Sequence, residues 1–137
     1  MSPYTEELRQ LLATSPQPAC VALTPFELVE ADTGPGRARV EFAAQPAFGN
    51  HFGNIQGGFI VAMLEVPLTL AVYIETKRFL PTIEIKTSFL SPARLGACVG
   101  EGVVVRAGSN LVFAEARLWS PDGKLAAHAT ATSLAAR

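Results

Sequence analysis

One carboxylate stands alone in the most apolar stretch of the chain. Residues 57–74 read GGFIVAMLEVPLTLAVYI, and Glu65 is the only ionisable side chain before Tyr73. A charged group in apolar surroundings is costly unless it is paired or solvated. Buried carboxylates tend to have raised pKa values, and such groups gather at functional sites. Gly57 and Gly58 open the stretch, where the free N–H groups of a helix start would favour developing negative charge. A carboxylate two turns further on suits acid–base or nucleophilic work. The competing reading is a glutamate on the one wet stripe of a core helix. Thr69, four residues after Glu65, would share its helix face. Pro67 leaves the carbonyl of Met63 without its helical partner and should bend the helix, either aiming Glu65 or serving packing.

The elements that must hold these groups follow from hydrophobic periodicity. Pro3–Thr14 carries Leu8, Leu11 and Leu12 at helical spacing, and SPQP then breaks the helix. Cys20–Glu30 reads as a strand with a proline in it, hence at an edge or bend. ADTGPG is a turn. Arg37–Ala43 alternates, with Ala38, Val40 and Phe42 against Arg37, Arg39 and Glu41. Gln45–Gln56 is a loop, followed by the apolar helix. Period two then takes over in Thr82–Leu90, Ala97–Arg106, Leu111–Trp119 and Leu125–Leu134, with Gly100 and Gly102 permitting close packing. A helix apolar nearly all round must be covered on most sides, and a curved antiparallel sheet would do so. A parallel sheet would need alternating βα units, which are absent.

Composition narrows the function classes. The 137 residues suit one domain, 1–137, with a substantial core. Hydrophobic residues make up 49%, a surplus able to cover a subunit interface. A net charge of −1 without a basic block argues against nucleic acid as the main partner. Cys20 and Cys98 lack metal-ligand spacing and read as two incidental thiols of a cytoplasmic protein or as one disulfide. No signal-peptide pattern opens the chain. The longest apolar run, Phe59–Ile74, has 16 residues, too few for a membrane span.

The element order, the segment NHFGNIQGG at 50–58 and Glu65 seven positions past its second glycine resemble the hotdog-fold acyl-CoA thioesterases of the PaaI-like group. Their pattern has Asn, two residues, Gly, two residues, His-Gly-Gly and then an acid. Asn50, Gly53, Gly57, Gly58 and Glu65 fall in register. The likeness continues through TIEIK (82–86), FLSPARLG (89–96) and DGKLAAHAT (122–130), and spans roughly residues 20–134. Two departures stand out: Gln56 replaces the histidine, and the acid is glutamate rather than the usual aspartate. Glu65 with Thr69 is also similar to a glutamate-using subgroup, the 4-hydroxybenzoyl-CoA thioesterases, which pair the acid with a threonine one turn later.

The resemblance implies an α+β hotdog fold, a curved antiparallel sheet around one long central helix, with a short N-terminal helix. It implies hydrolysis of acyl-CoA thioesters, aryl or medium-chain, without a cofactor or metal. The N–H of Gly57 or Gly58 would polarise the carbonyl, and Glu65 would be general base or nucleophile. Asn50 would orient the water or the thioester. Gln56 could donate a hydrogen bond but cannot shuttle a proton, or could simply cap the loop. Thr69 and Thr82 are candidates for holding the water or the acid. His51 has no counterpart in the family motif and is a candidate on the substrate side. Arg94, with Arg106, Lys86 and the Gly108-Ser109 turn, could meet CoA. Phe48, Phe52 and Phe59 would line the acyl pocket. A homodimer with a shared site, and a dimer-of-dimers tetramer, are expected. The competing functions are a non-catalytic acyl-CoA-binding hotdog protein and a dehydratase, which would need a histidine near the glycines.

Overall fold

A computed structural model describes residues 2–136. The elements are α1 (Pro3–Thr14), β1 (Phe26–Asp32), β2 (Arg37–Phe42), α2 (Gly57–Thr76), β3 (Thr82–Phe89), β4 (Val99–Ala107), β5 (Leu111–Trp119) and β6 (Leu125–Leu134). Short 3-10 turns occupy Ala19–Leu23 and Pro46–Phe48. The strands form one sheet in the order β1-β2-β4-β5-β6-β3, and each neighbouring pair is antiparallel. This is the α+β arrangement that the hotdog resemblance implies.

The alternation seen in the sequence sets the two faces of the sheet. Val40, Val112, Ala114, Leu118, Ala127 and Ala129 point inward and are buried. Helix α2 lies on this inner face and touches β4 most extensively, with β2, β5, β6 and β1 beyond it. One helix reaches five strands only because the twisted sheet curls round it.

Glycines set the closeness of that packing. A Cβ on Gly102 would stand 2.3 Å from the Pro67 carbonyl oxygen, and one on Gly36 would stand 2.4 Å from that of Ala71. Pro67 thus faces β4, fully buried, at the point where the helix presses hardest on the sheet.

Two boundaries differ from the sequence expectation. The strand expected over Cys20–Glu30 begins only at Phe26, and its first part is the Ala19–Leu23 turn. Prolines 18 and 25 bracket that turn, and its hydrogen bonds are local, Val21 N–H to Pro18 O and Thr24 N–H to Val21 O. Among the described residues no neighbouring strand is there to reward extension. The apolar helix is also longer than its apolar run. At 20 residues and a mean hydropathy of 1.9, α2 could cross a membrane by length and composition, and half of it is buried against the rest of the chain. Cys20 is exposed and Cys98 buried, and both are free thiols.

The two edges of the sheet are unlike. Helix α1 lies along β1 and satisfies its outward backbone groups. Thr5 Oγ1 accepts from Ala31 N–H at 3.1 Å, and Arg9 Nε donates to Leu28 O at 2.8 Å. Among the described residues nothing pairs with the outer edge of β3, which carries exposed Ile83 and Phe89, with Leu90 just beyond.

Candidate active site

Helix α2 has two working faces. Leu64, Pro67, Leu68 and Ala71 are buried against the sheet. Phe59, Ala62, Glu65, Val66, Thr69 and Tyr73, spaced by three or four residues except for the adjacent Glu65 and Val66, line a cavity of about 830 Å³. This is the spacing of one helical stripe. Glu65 and Thr69 therefore face the cavity because they sit opposite the residues that bind the sheet. Phe59 stacks flat on Phe48, centroids 4.2 Å apart.

Glu65 is half-buried, and the hydroxyl of Thr82 donates to its carboxylate, 3.2 Å from Oε1 and 3.3 Å from Oε2. Thr82 opens β3, opposite Ser133, and the register slips between Thr82 and Glu84. Such an irregularity re-aims a side chain at a strand end. An ionised carboxylate held by one hydroxyl keeps lone pairs for a water or a substrate.

The start of α2 is organised by Gln56. Its side-chain Oε1 accepts the Gly58 N–H at 2.8 Å, and its carbonyl accepts from Phe59 and Ile60. Gln56 is thus the helix N-cap. The Gly58 amide is engaged, whereas Gly57 N–H makes no hydrogen bond among the described residues. A Cβ on Gly57 would stand 3.2 Å from the ring of Phe89, so glycine lets β3 lie close to the helix start.

The loop before it is a self-bonded turn. Asn50 Oδ1 accepts from the N–H of Phe52 and of Asn54 at 2.9 and 3.1 Å, and Gly53 takes a φ of +75°. His51 and Phe52 form its exposed tip, Phe52 at 84% exposure. Arg94 Nη1 donates to Asn54 Oδ1 at 3.0 Å, and the Arg94 N–H donates to Ser120 Oγ at 3.0 Å. Arg94 therefore belongs to the same corner as the loop. Arg106, Gly108 and Ser109 line a separate hollow of about 310 Å³ at the β4–β5 turn, and Lys86 Nζ donates to Ser88 Oγ at 3.3 Å.

The structure gathers Glu65, Thr82, Thr69 and Phe59 into one place, and Gln56, Gly57, Gly58, Asn50 and His51 into another. Glu65 lies eight positions along the helix from Gly57, about 12 Å at 1.5 Å per residue. Two features near the site carry no sequence signal. Residues of the 11–26 segment form the cavity's far wall. Thr87 Oγ1, on β3 between Thr82 and Phe89, is buried and has no hydrogen-bond partner among the described residues.

Residues 52–127 match the sequence pattern of the thioesterase superfamily, more than half of the chain. The chain belongs to that superfamily, and its fold is the hotdog fold. It is 32% identical to a protein of Ralstonia eutropha JMP134 named as a thioesterase and as a phenylacetic acid degradation-related protein. The two structures superpose with a TM-score of 0.83 over 93% of this chain and 97% of that one. It is 34% identical over 95 residues to a protein of Saccharolobus solfataricus named as an esterase, covering 69% of this chain and 68% of the relative. A Streptococcus mutans UA159 protein solved with acetyl-CoA bound shares the fold at 22% identity, with a TM-score of 0.71 over 80% of this chain and 86% of that one. The class of chemistry is thioester hydrolysis.

Proposed function

We propose that this protein hydrolyses acyl-CoA thioesters carrying aryl or medium-chain acyl groups, with Glu65 as the reacting carboxylate. The observation that carries this reading is the Glu65 carboxylate, held by the Thr82 hydroxyl, on the wall of a large apolar cavity. The acetyl-CoA held by the Streptococcus mutans protein supports CoA as the carrier. As a general base, Glu65 takes a proton from water while the water oxygen adds to the carbonyl carbon. The oxyanion then collapses, the C–S bond breaks, and CoA leaves as the thiolate. As a nucleophile, Glu65 instead displaces CoA to form an anhydride, which water cleaves.

Polarising the carbonyl needs a donor about 3 Å from its oxygen. The free Gly57 amide suits this, yet it lies about 12 Å along the helix from Glu65 of its own chain. One protomer cannot set both on one thioester. A homodimer can, with Gly57 of one protomer facing Glu65 of its partner, and the uncovered, apolar β3 edge is the surface for it. Tetramers would pair such dimers. An exposed free thiol at Cys20 suits a reducing compartment such as the cytoplasm.

A specific observation favours one other reading, a protein that binds acyl-CoA without cleaving it. Gln56 stands where the family's pattern has histidine, and its side chain occupies the Gly58 amide. Free-thiol release from a panel of acyl-CoAs separates the two. Turnover by the wild type that falls about 10²- to 10⁴-fold in Glu65→Gln, with binding kept, is the expected result. Binding without any turnover by the wild type would establish the second reading.

A further inference from the structure

The cavity over Glu65 has a wall that the superfamily pattern does not include. That pattern begins at residue 52, whereas Leu11, Leu12, Val21 and Leu23 face the α2 stripe across the cavity. We propose that the segment 11–26 is the acyl-selecting wall, and that it selects an extended apolar acyl group of about eight carbons or more over an acetyl-sized one. This deepens the thioesterase reading and rests on it.

Size is the first argument. A cavity of about 830 Å³ lies high in the range of about 300–1,000 Å³ that encloses drug-sized ligands. An acetyl group would leave it almost empty. Surface chemistry is the second. Leu11, Leu23, Phe59 and Phe79 are all large, apolar and exposed, and all four open on this one cavity. Scattered exposed apolar side chains need no explanation, but a converging set marks a binding surface.

The wall is also built in advance. Prolines 16 and 18 fix their own backbone torsions. Gln17 Nε2 donates to Leu12 O and Ser15 O at 3.4 and 3.3 Å. Helix α1, from which the wall extends, is pinned to β1 by Thr5 and to the end of α2 by Lys77 Nζ donating to Tyr4 Oη at 2.6 Å. Yet no hydrogen bond among the described residues joins 15–24 to α2, so the two walls stand apart with space between them. Glu65 lies on that space, which puts the acyl end of a thioester there rather than its CoA end.

Cys20 supplies the test. It is exposed and lines the wall, whereas Cys98 is buried, and burial with the Asp122 charge pushes its thiol up to about 11. A thiol reagent therefore reports on Cys20 alone. We would follow N-ethylmaleimide labelling by mass spectrometry in Glu65→Gln, which suppresses turnover, with CoA, acetyl-CoA, octanoyl-CoA and dodecanoyl-CoA each above its measured Kd. Labelling should slow about tenfold or more with the long thioesters and stay unchanged with acetyl-CoA and CoA. In the wild type, kcat/KM should rise about three- to fourfold per methylene, and Val21→Trp should cut that rise short. Equal labelling rates with every bound thioester would overturn the inference and leave the thioesterase reading standing. Labelling already slow without ligand, and restored on dilution to monomers, would overturn it in favour of a second copy filling the cavity. If no acyl-CoA binds at all, the reading beneath it fails too.

Discussion

At the scale of single residues, the site rests on an economy of hydrogen bonds. Thr82 gives its one hydroxyl proton to Glu65. A hydrogen bond to a charged group contributes about 1.5–3 kcal/mol, so Thr82→Val should lower kcat about tenfold or more without unfolding the protein. Thr82→Ser should retain most of the activity, because it keeps the donor. Steady-state kinetics beside a thermal melt would separate loss of the donor from loss of fold. Glu65 was legible in the sequence because charge is conspicuous among apolar neighbours. The resemblance named Thr69 and Thr82 together as candidates for holding the acid, and the structure gives Thr82 that contact; local pattern could not choose between them, since the bond joins residues 17 apart through a strand whose register it does not fix. Gln56 read in sequence as either a hydrogen-bond donor to substrate or a cap. Its Oε1 is turned to the Gly58 amide, a matter of one side-chain rotation that sequence does not encode.

At the scale of elements, α2 and β4 define each other. The Pro67 backbone lies where a Cβ on Gly102 would be, 2.3 Å from its oxygen and 2.5 Å from its carbonyl carbon. Backbone atoms cannot rotate away as a side-chain tip can. Gly102→Ala should therefore cost about 2–3 kcal/mol, seen as a fall of roughly 10 °C in Tm. A melt unchanged within 2 °C, as a rough threshold, would show that the helix can lift. The period-two strands and the apolar helix were plain from sequence, because each pattern is local and long. The Ala19–Leu23 turn was not. Its apolar residues suggested a strand, and only the absence of a neighbour to pair with made a turn the better solution.

At the scale of the whole molecule, charge ties the outer face of the sheet together. Glu101 accepts from Arg37 at 2.9 Å and from Arg39 at 3.0 Å, Arg37 reaches on to Asp32 at 3.1 Å, and Arg39 lies over the Trp119 ring at 5.1 Å. Burial by itself would raise the Glu101 carboxyl. The hydrogen bonds and charges of the two arginines outweigh it and hold the group below its ordinary value. Between the folded and unfolded pKa values the folded state binds fewer protons. The stability this network gives is therefore complete above the ordinary carboxylate pKa of about 4.3 and is lost as pH falls through the lower folded value. Glu101→Gln should lower Tm at pH 7, and the gap from the wild type should close as the pH drops below about 4. A gap independent of pH would mean that shape, not charge, holds these strands.

The covered β1 edge has a consequence for how far this protein can assemble. A sheet with both edges bare can add copies at each end without limit. With α1 bonded along one edge, the unit has a valence of one, and edge-to-edge growth must stop at two. Sedimentation of the intact chain should show no species longer along the sheet than a pair. Replacing Thr5 and Arg9 by alanine should weaken that stop and let longer, concentration-dependent strings form, while Ile83→Pro on the opposite edge should leave single copies. In this sense the N-terminal helix would act as a chain terminator, closing growth along the sheet at the proposed pair.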